Sequence, residues 1–335
     1  MTNMKDVARE AGVSVGTVSN YINGKKVRPV VAKSIEQAIK KLNYVVNNTA
    51  RLLKNNCSPF VIFVVPTVWS PYFSELTFWI QKKLNSLGYK MILCISENDY
   101  KLEKDYVKMA EEQRAAGIIS VSYSNLTTHI RSDIPFVSIE KESTGIFPLV
   151  TSDNYSGGSL AAKELQLRNV KRYYFIGTTN QDSVSMIARR SGFMDYCHNN
   201  GLMADVLTVA SSRKISQFRK DIDKIVKKLL SENNLGDIGV FTHTDEIAIV
   251  LLNELRMKGI RVPEDIQIIG FDGWKITEED SLNISSIRQP VDMIAEYAVK
   301  QLDEEIRYSD NFEIRRINLP VSFIPGITTN NDVRR

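Results

Sequence analysis

Four residues near the N-terminus, Val15, Gly16, Thr17 and Asn20, have the types and spacing needed to read the edge of a base pair. The amide of Asn20 donates and accepts in one plane, as adenine requires in a major groove, and Val15 offers an apolar contact suited to a thymine methyl. Gly16 costs an isolated helix roughly 1 kcal/mol relative to Ala, a cost that close approach to another molecule would explain. These residues sit in MKDVAREAGVSVGTVSNYIN, which encodes two short helices around a tight Gly12-Val13-Ser14 turn. The first helix buries Met4, Val7, Ala8 and Ala11 at spacings of three and four. Gly12 ends it, because glycine accepts the left-handed geometry of a helix terminus. Ser14 caps the second helix, whose inner face uses Val18 and Ile22. Ser14 and Asn23, at its two ends, complete the candidate contact set. The competing reading of this segment alone is an ordinary surface helical hairpin.

Charge favours the first reading. Residues 1–58 hold ten Lys and Arg (Lys5, Arg9, Lys25, Lys26, Arg28, Lys33, Lys40, Lys41, Arg51 and Lys54) against Asp6, Glu10 and Glu36. The whole chain is only +4, so a module of +7 precedes a remainder of −3. Such concentration is the electrostatic footprint of phosphate contacts. Neither a lipidation signal nor a long amphipathic stripe supports a membrane surface as the partner.

Ile35, Ala38, Ile39 and Leu42 mark a third helix that closes a three-helix core. Asn43 to Asn47 follows as a non-helical connector, and Asn48 to Lys54 reads as a short helix. With MKDVAREAGVSVGTVS and then LNYVVNNTARLLK, the chain resembles the head and hinge of the LacI/GalR family of bacterial transcription regulators. The order and spacing of the elements beyond the hinge extend the resemblance over almost the whole length.

The resemblance implies that two heads, related by two-fold symmetry, bind half-sites of a palindromic double-stranded DNA operator. It adds the hinge residues Thr49, Arg51, Leu53 and Lys54 to the contact set, with Leu53 as an apolar wedge in the minor groove. A helix over 48–55 is too short to be stable alone and is expected to fold when paired with its partner's copy on DNA. Two departures stand out in the head. Many relatives carry Arg where this chain has Asn20, and Arg28-Pro29-Val30-Val31 lacks the Ser/Thr cap usual before helix three.

A chain of 335 residues with 43% hydrophobic and 24% charged residues suits a small head plus a two-lobed core. No charged-then-apolar leader opens it, and the expected location is cytoplasmic. Cys57, Cys94 and Cys197 and His129, His198 and His243 are scattered without disulfide or metal-site spacing. There is no P-loop or GxGxxG after the first strand, and no credible Ser/His/Asp order. The expectation is a protein without cofactor, metal or enzymatic activity.

From Phe60 the pattern alternates apolar strands with amphipathic helices. Strands are expected at 60–65, 91–95, 117–121, 136–139, 173–176, 239–242 and 266–271, with a further strand-like stretch at 319–324. Helices are expected near 72–87, 101–116, 155–168, 185–200, 215–233, 245–258 and 290–308. This predicts an α/β core of two lobes with parallel sheets covered on both faces. Ser156-Gly157-Gly158-Ser159 reads as close packing of a helix on a strand in preference to a phosphate cradle. The domain plan is a head at 1–46, a hinge at 47–58 and an effector-binding, dimerising core at 59–335. Lobe one takes about 60–153 and 288–318, and lobe two about 154–287 and 319–331.

A cleft between such lobes lies beyond the carboxyl ends of the strands. Trp69, Tyr72 and Phe73 follow the first strand, where their rings either stack on an apolar sugar face or pack in the core. The resemblance, through a core similar to periplasmic sugar-binding proteins, supplies the rest of the candidate ligand set. Arg189 begins an Arg-x-x-Gly-Phe like the family's, and Asp272 ends IQIIGFD like its Gly-Tyr/Phe-Asp. An arginine donor opposite a carboxylate acceptor suits a polyhydroxylated ligand; the alternative is that each pairs with structural neighbours. Glu140, Thr244 and Gln289 occupy matching strand ends, with Glu140 replacing a common Asp and Thr244 standing where Asn is frequent.

The implied function is a ligand-responsive regulator, most simply a dimeric repressor of carbohydrate genes. A sugar or sugar phosphate in the cleft would shift operator affinity by a coupling of about 1–3 kcal/mol. No leucine heptad follows Leu319 to Ile324, which favours a homodimer over a tetramer. A sugar receptor without DNA binding, and a global regulator governed by a protein co-effector, are the competing functions.

Overall fold

A computed structural model describes residues 3–22, 27–42, 44, 58–121, 134–141, 147–179, 184–210, 215–274, 283–307 and 313–330. Chain contacts divide it into Met1–Cys57 and Ser58–Arg335.

In the first unit, α1 (Met4–Glu10), α2 (Val15–Ile22) and α3 (Pro29–Lys41) surround Val7, Ala8, Val18, Ile35 and Ala38. Tyr44, assigned to the connector by its sequence, closes this core with only 9% of its surface exposed. An Asn3–Asp6 capping box starts α1: the Asn3 carboxamide accepts the Asp6 N–H, and the Asp6 carboxylate accepts the Asn3 N–H. Gly12 adopts φ +64° and ends the helix as its residue type requires. Helix α3 has no side-chain cap and begins with Pro29, whose missing N–H would have had no helical partner.

The second unit holds two six-stranded sheets among the described residues. The first contains β1 (Phe60–Val65), β2 (Lys90–Ile95), β3 (Gly117–Ser120), β4 (Phe136–Ile139), β5 (Leu149–Ser152) and β11 (Arg316–Leu319). Its strands are all parallel and ordered β11-β5-β4-β3-β1-β2. The second contains β6 (Arg172–Thr178), β7 (Met203–Val209), β8 (Ile238–Thr242), β9 (Ile266–Asp272), β10 (Ser285–Arg288) and β12 (Ser322–Ile324). Its order is β12-β10-β9-β8-β6-β7, parallel except that β12 runs antiparallel to β10.

Apolar faces dictate the layers. Tyr72, Leu76, Ile80 and Leu84 of α4 (Pro71–Ser86) and Val291, Ile294, Ala298 and Leu302 of α10 (Val291–Arg307) cover one face of the first sheet. On the other face, Val107 and Ala110 of α5 (Tyr100–Glu112) meet Ile62, Val64 and Ile118. The second sheet lies between α8 (Ile215–Leu230) with α9 (Asp245–Met257), and α6 (Asn154–Leu167) with α7 (Val184–Asn199).

The stretch 319–324 is not one strand. Leu319 ends β11 in the first sheet and Ser322 begins β12 in the second, so Pro320 and Val321 carry the chain between lobes. Other crossings follow Ser152 and Arg288. The paired glycines pack as their size demands: a Cβ on Gly157 would stand 2.7 Å from the Phe271 ring, and one on Gly158 2.0 Å from the Arg189 carbonyl oxygen. No helix among the described residues is long and apolar enough to cross a membrane.

Candidate functional site

The head's outer face is built by α2. Ser14 Oγ accepts the Thr17 N–H at 3.1 Å and shares a 2.9 Å hydrogen bond with Thr17 Oγ1, so both hydroxyls serve the helix start. With Val18 fully buried, the helical repeat turns Val15, Gly16 and Asn20 to solvent. Val15 is 42% exposed, unusual for a branched apolar residue with core on its other side. The fold does not demand a glycine at 16, because a Cβ there would meet nothing nearer than Ser14 Oγ at 3.7 Å. Lys5, Arg9, Arg28, Lys33, Lys40 and Lys41 are exposed on the same unit. Asn23, Thr49, Arg51, Leu53 and Lys54 lie outside the described residues.

In the second unit, a cleft of about 1120 Å³ opens at the carboxyl ends of both sheets. Arg189 and Asp272 meet within it, 3.8 Å apart, both nearly buried. The guanidinium donates from Nε to Asn154 Oδ1 at 2.8 Å and from Nη1 to the His243 carbonyl at 2.7 Å. Its carbon lies 3.6 Å from the centre of the Phe271 ring, which fixes its plane. Gln289 donates to Asp272 Oδ1 at 2.7 Å and accepts from Ser152 Oγ at 2.7 Å, joining the two lobes through one amide. Arg189 Nη2 and Asp272 Oδ2 remain without a protein partner among the described residues.

Glu140 is held differently. Its Oε1 accepts the Ser152 N–H at 2.7 Å, its Oε2 accepts from Asn154 at 2.9 Å, and its carbonyl accepts from Ser185 at 2.6 Å. These bonds fix the strand end with the backbone at φ 63°. Thr244 forms the N-cap of α9 without a side-chain cap bond, half-buried at the cleft wall. Of the three aromatics, Tyr72 is 5% exposed and packs into lobe one, Phe73 meets it edge to face at 5.2 Å, and Trp69 is 94% exposed at the cleft margin. The structure thus gathers all eight sequence-derived cleft residues along one opening, with Gln289 and Glu140 as bracing groups of the Arg189–Asp272 pair.

Burial raises the Asp272 carboxyl to about 6 despite Arg189, with Glu140 and Glu246 adding to the rise. Asp245, behind it, is also pushed up by burial and by Asp272; it accepts the Gly273 N–H at 2.7 Å and the Ser286 hydroxyl at 2.7 Å. Burial and the adjacent Arg189 drive His243 down to about 3, so its imidazole is neutral. Among the described residues no cluster of His, Cys, Asp and Glu can hold a metal. His243, Trp274, Phe218 and Glu246 also line the cleft and escaped the sequence reading. Trp274 carried a signal, standing two residues beyond Asp272, whereas Phe218 was hidden in the apolar stripe of a helix.

Comparison with known proteins finds a family model in each unit. Residues 3–47 match the model for bacterial regulatory proteins of the lacI family, and residues 162–329 match the periplasmic binding protein-like domain. The chain is 32% identical over 331 residues to the sucrose operon repressor of Lactococcus lactis subsp. lactis, covering 98% of this chain and 100% of that protein. A periplasmic binding protein/LacI transcriptional regulator from Alkaliphilus metalliredigens QYMF, complexed with D-xylulofuranose, is similar in structure. Its TM-score is 0.71 at 25% identity, over 82% of this chain and 100% of that one. The lac repressor dimer bound to operator and the anti-inducer ONPF shares the fold, with a TM-score of 0.82 at 20% identity over 98% of this chain and 99% of that one.

Proposed function

The chain belongs to the lacI family of bacterial regulatory proteins, and from that premise we propose that it represses carbohydrate-utilisation genes as a homodimer on a palindromic operator. It is a DNA-binding transcriptional regulator and not an enzyme. A sugar or sugar phosphate entering the inter-lobe cleft changes its hold on DNA, and its place of action is the cytoplasm. Two copies of the head supply the symmetric reading of half-sites, with Val15, Gly16 and Asn20 setting sequence preference.

The observation that carries this reading is the Arg189–Asp272 pair, braced on every side by Asn154, His243 and Gln289 yet retaining one donor and one acceptor with no protein partner among the described residues. Polar atoms left open on the wall of a concave, part-aromatic cleft are what a hydroxyl-rich ligand engages. The test selects duplexes from a randomised pool with the full chain and then titrates the winning sequence by fluorescence anisotropy, with and without sucrose, D-ribose and D-xylulose. A palindromic winner whose affinity moves with one sugar supports the proposal. No sequence preference, or affinity indifferent to every sugar, overturns it. Light scattering reads the dimer as twice the 38.0 kDa chain mass.

A further inference from the structure

Resting on the cleft reading above, we propose that the effector is a saccharide without an anionic group, so that a phosphorylated sugar is excluded by the charge of the cleft itself. The described residues lining the cleft include four carboxylates, Glu97, Glu140, Glu246 and Asp272, against one guanidinium, Arg189. That guanidinium already stands 3.8 Å from the Asp272 carboxylate and gives two of its donors to neutral protein groups. It is the only cation among the described lining residues, whereas phosphate recognition commonly draws on several cations.

Helix starts reinforce the exclusion. The N-terminal turn of a helix attracts anions through its free N–H groups, and the first turns of α4, α7 and α9 all line the cleft, that of α7 without a carboxylate. At α9 the first turn places Glu246 on the cleft, with the buried Asp245 behind it. At α4 the first position is Pro71, which has no N–H to offer an anion. Burial raises the Asp272 carboxyl against the opposing effect of Arg189, and Glu140 and Glu246 add to the rise.

Uncharged hydroxyl groups suit this lining. They donate to the carboxylates and accept from the guanidinium, while Phe73 and Trp274 offer ring surfaces from the two lobes. An aminated sugar is favoured by the same field. A phosphate dianion in the cleft would meet carboxylates from both lobes in surroundings where charges are only weakly screened.

The test uses full-length protein and matched probes: D-ribose with D-ribose 5-phosphate, D-fructose with D-fructose 6-phosphate, sucrose with sucrose 6-phosphate, and D-glucosamine. Unfolding midpoints screen the panel, because a ligand specific for the folded state raises the midpoint, and isothermal titration then gives affinities. In any pair that binds, the parent sugar is expected to be at least about tenfold tighter than its phosphate. Glu246→Lys, at an exposed position, is expected to narrow that gap by raising the phosphate's affinity. A phosphate that binds wild type more tightly than its parent overturns the proposal. If Asp272→Asn abolishes that phosphate binding, the cleft reading survives alone; if binding persists unchanged, the cleft reading falls as well. Silence from every probe at millimolar concentration overturns both.

Discussion

Asp272 and Glu140 leave their strands in the left-handed region, at φ 114° and 63°, conformations that non-glycine residues adopt only when their surroundings over-determine them. Each is pinned by several bonds, so the cost is borne by the network that orients the Arg189–Asp272 pair. Asp272→Asn keeps the size of the side chain and an oxygen for Gln289 but removes the charge beside Arg189. Loss of a charged hydrogen-bond partner costs about 1.5–3 kcal/mol, so the half-saturating sugar concentration is expected to rise at least about tenfold in isothermal titration. Arg189 and Asp272 were legible because their motifs sit in short, ordered stretches of sequence. Their partners were not: Asn154 is 35 positions and the His243 carbonyl 54 positions from Arg189, and only the fold makes them neighbours.

A second residue sets a pH dependence away from the cleft. Burial raises the Glu305 carboxyl from 4.5 to about 7, although it accepts the Phe136 N–H at 3.2 Å. The folded state therefore holds this proton more tightly than the unfolded chain does. Its stabilising contribution is complete below about pH 4.5 and is lost as pH rises through 7. Glu305→Gln retains an acceptor for Phe136 and removes the titration. The variant is expected to melt higher than wild type at pH 8 and to lose this part of the wild-type decline between pH 5 and 8, measured by circular dichroism. An unchanged midpoint at pH 8 contradicts the assignment.

Among the elements, apolar runs were legible and polar strands were not. Strand β1 is five-sixths buried and reads directly as FVIFVV, whereas β10 is SSIR, half serine, yet buried. Its serines are satisfied from the side, Ser285 by Thr329 and Ser286 by Asp245, so hydrogen bonding replaces the apolar signal. Strands β5 (LVTS) and β11 (RINL) are half polar, and β7 is an edge strand whose exposed positions dilute its pattern. Helix packing explains the glycine of the Arg-x-x-Gly-Phe stretch. Gly192 lets α7 approach α6 so closely that an added Cβ would stand 1.9 Å from the Tyr155 carbonyl oxygen. Gly192→Ala is expected to destabilise by about 1–3 kcal/mol or more and to lower the melting midpoint by at least about 2 °C.

An ion pair between lobes belongs to the same scale. Arg288, ending β10, forms a two-pronged pair with Glu75 of α4 and donates to the Gly273 carbonyl at 2.9 Å. It thereby ties lobe one to the backbone just beyond Asp272. Glu75→Gln weakens only the pair, worth about 1 kcal/mol at this partial exposure, and is expected to raise half-saturation about fivefold. Arg288→Ala also frees Gly273 and is expected to exceed that loss. Equal effects in titration would show that the Gly273 bond contributes nothing to the site.

For the whole molecule, the division between Cys57 and Ser58 separates two electrostatic bodies as well as two sets of contacts. The +7 head must displace counterions when it binds a duplex, whereas an uncharged sugar entering the −3 remainder displaces none. The two affinities of one protein should therefore answer salt unequally, one steeply and one hardly at all. A dimer making six or more phosphate contacts loses about a thousandfold in operator affinity between 50 and 200 mM salt. Sugar affinity over the same range is expected to stay within about twofold, since hydrogen bonds to neutral hydroxyls are little affected by screening. Anisotropy titrations with the operator and calorimetry with the sugar, in matched potassium chloride series, measure the two slopes. A flat operator slope would remove phosphate contact as the source of DNA affinity and with it the role of the basic head. A steep sugar slope would instead mean that the ligand carries charge into a cleft whose carboxylates are arranged against it.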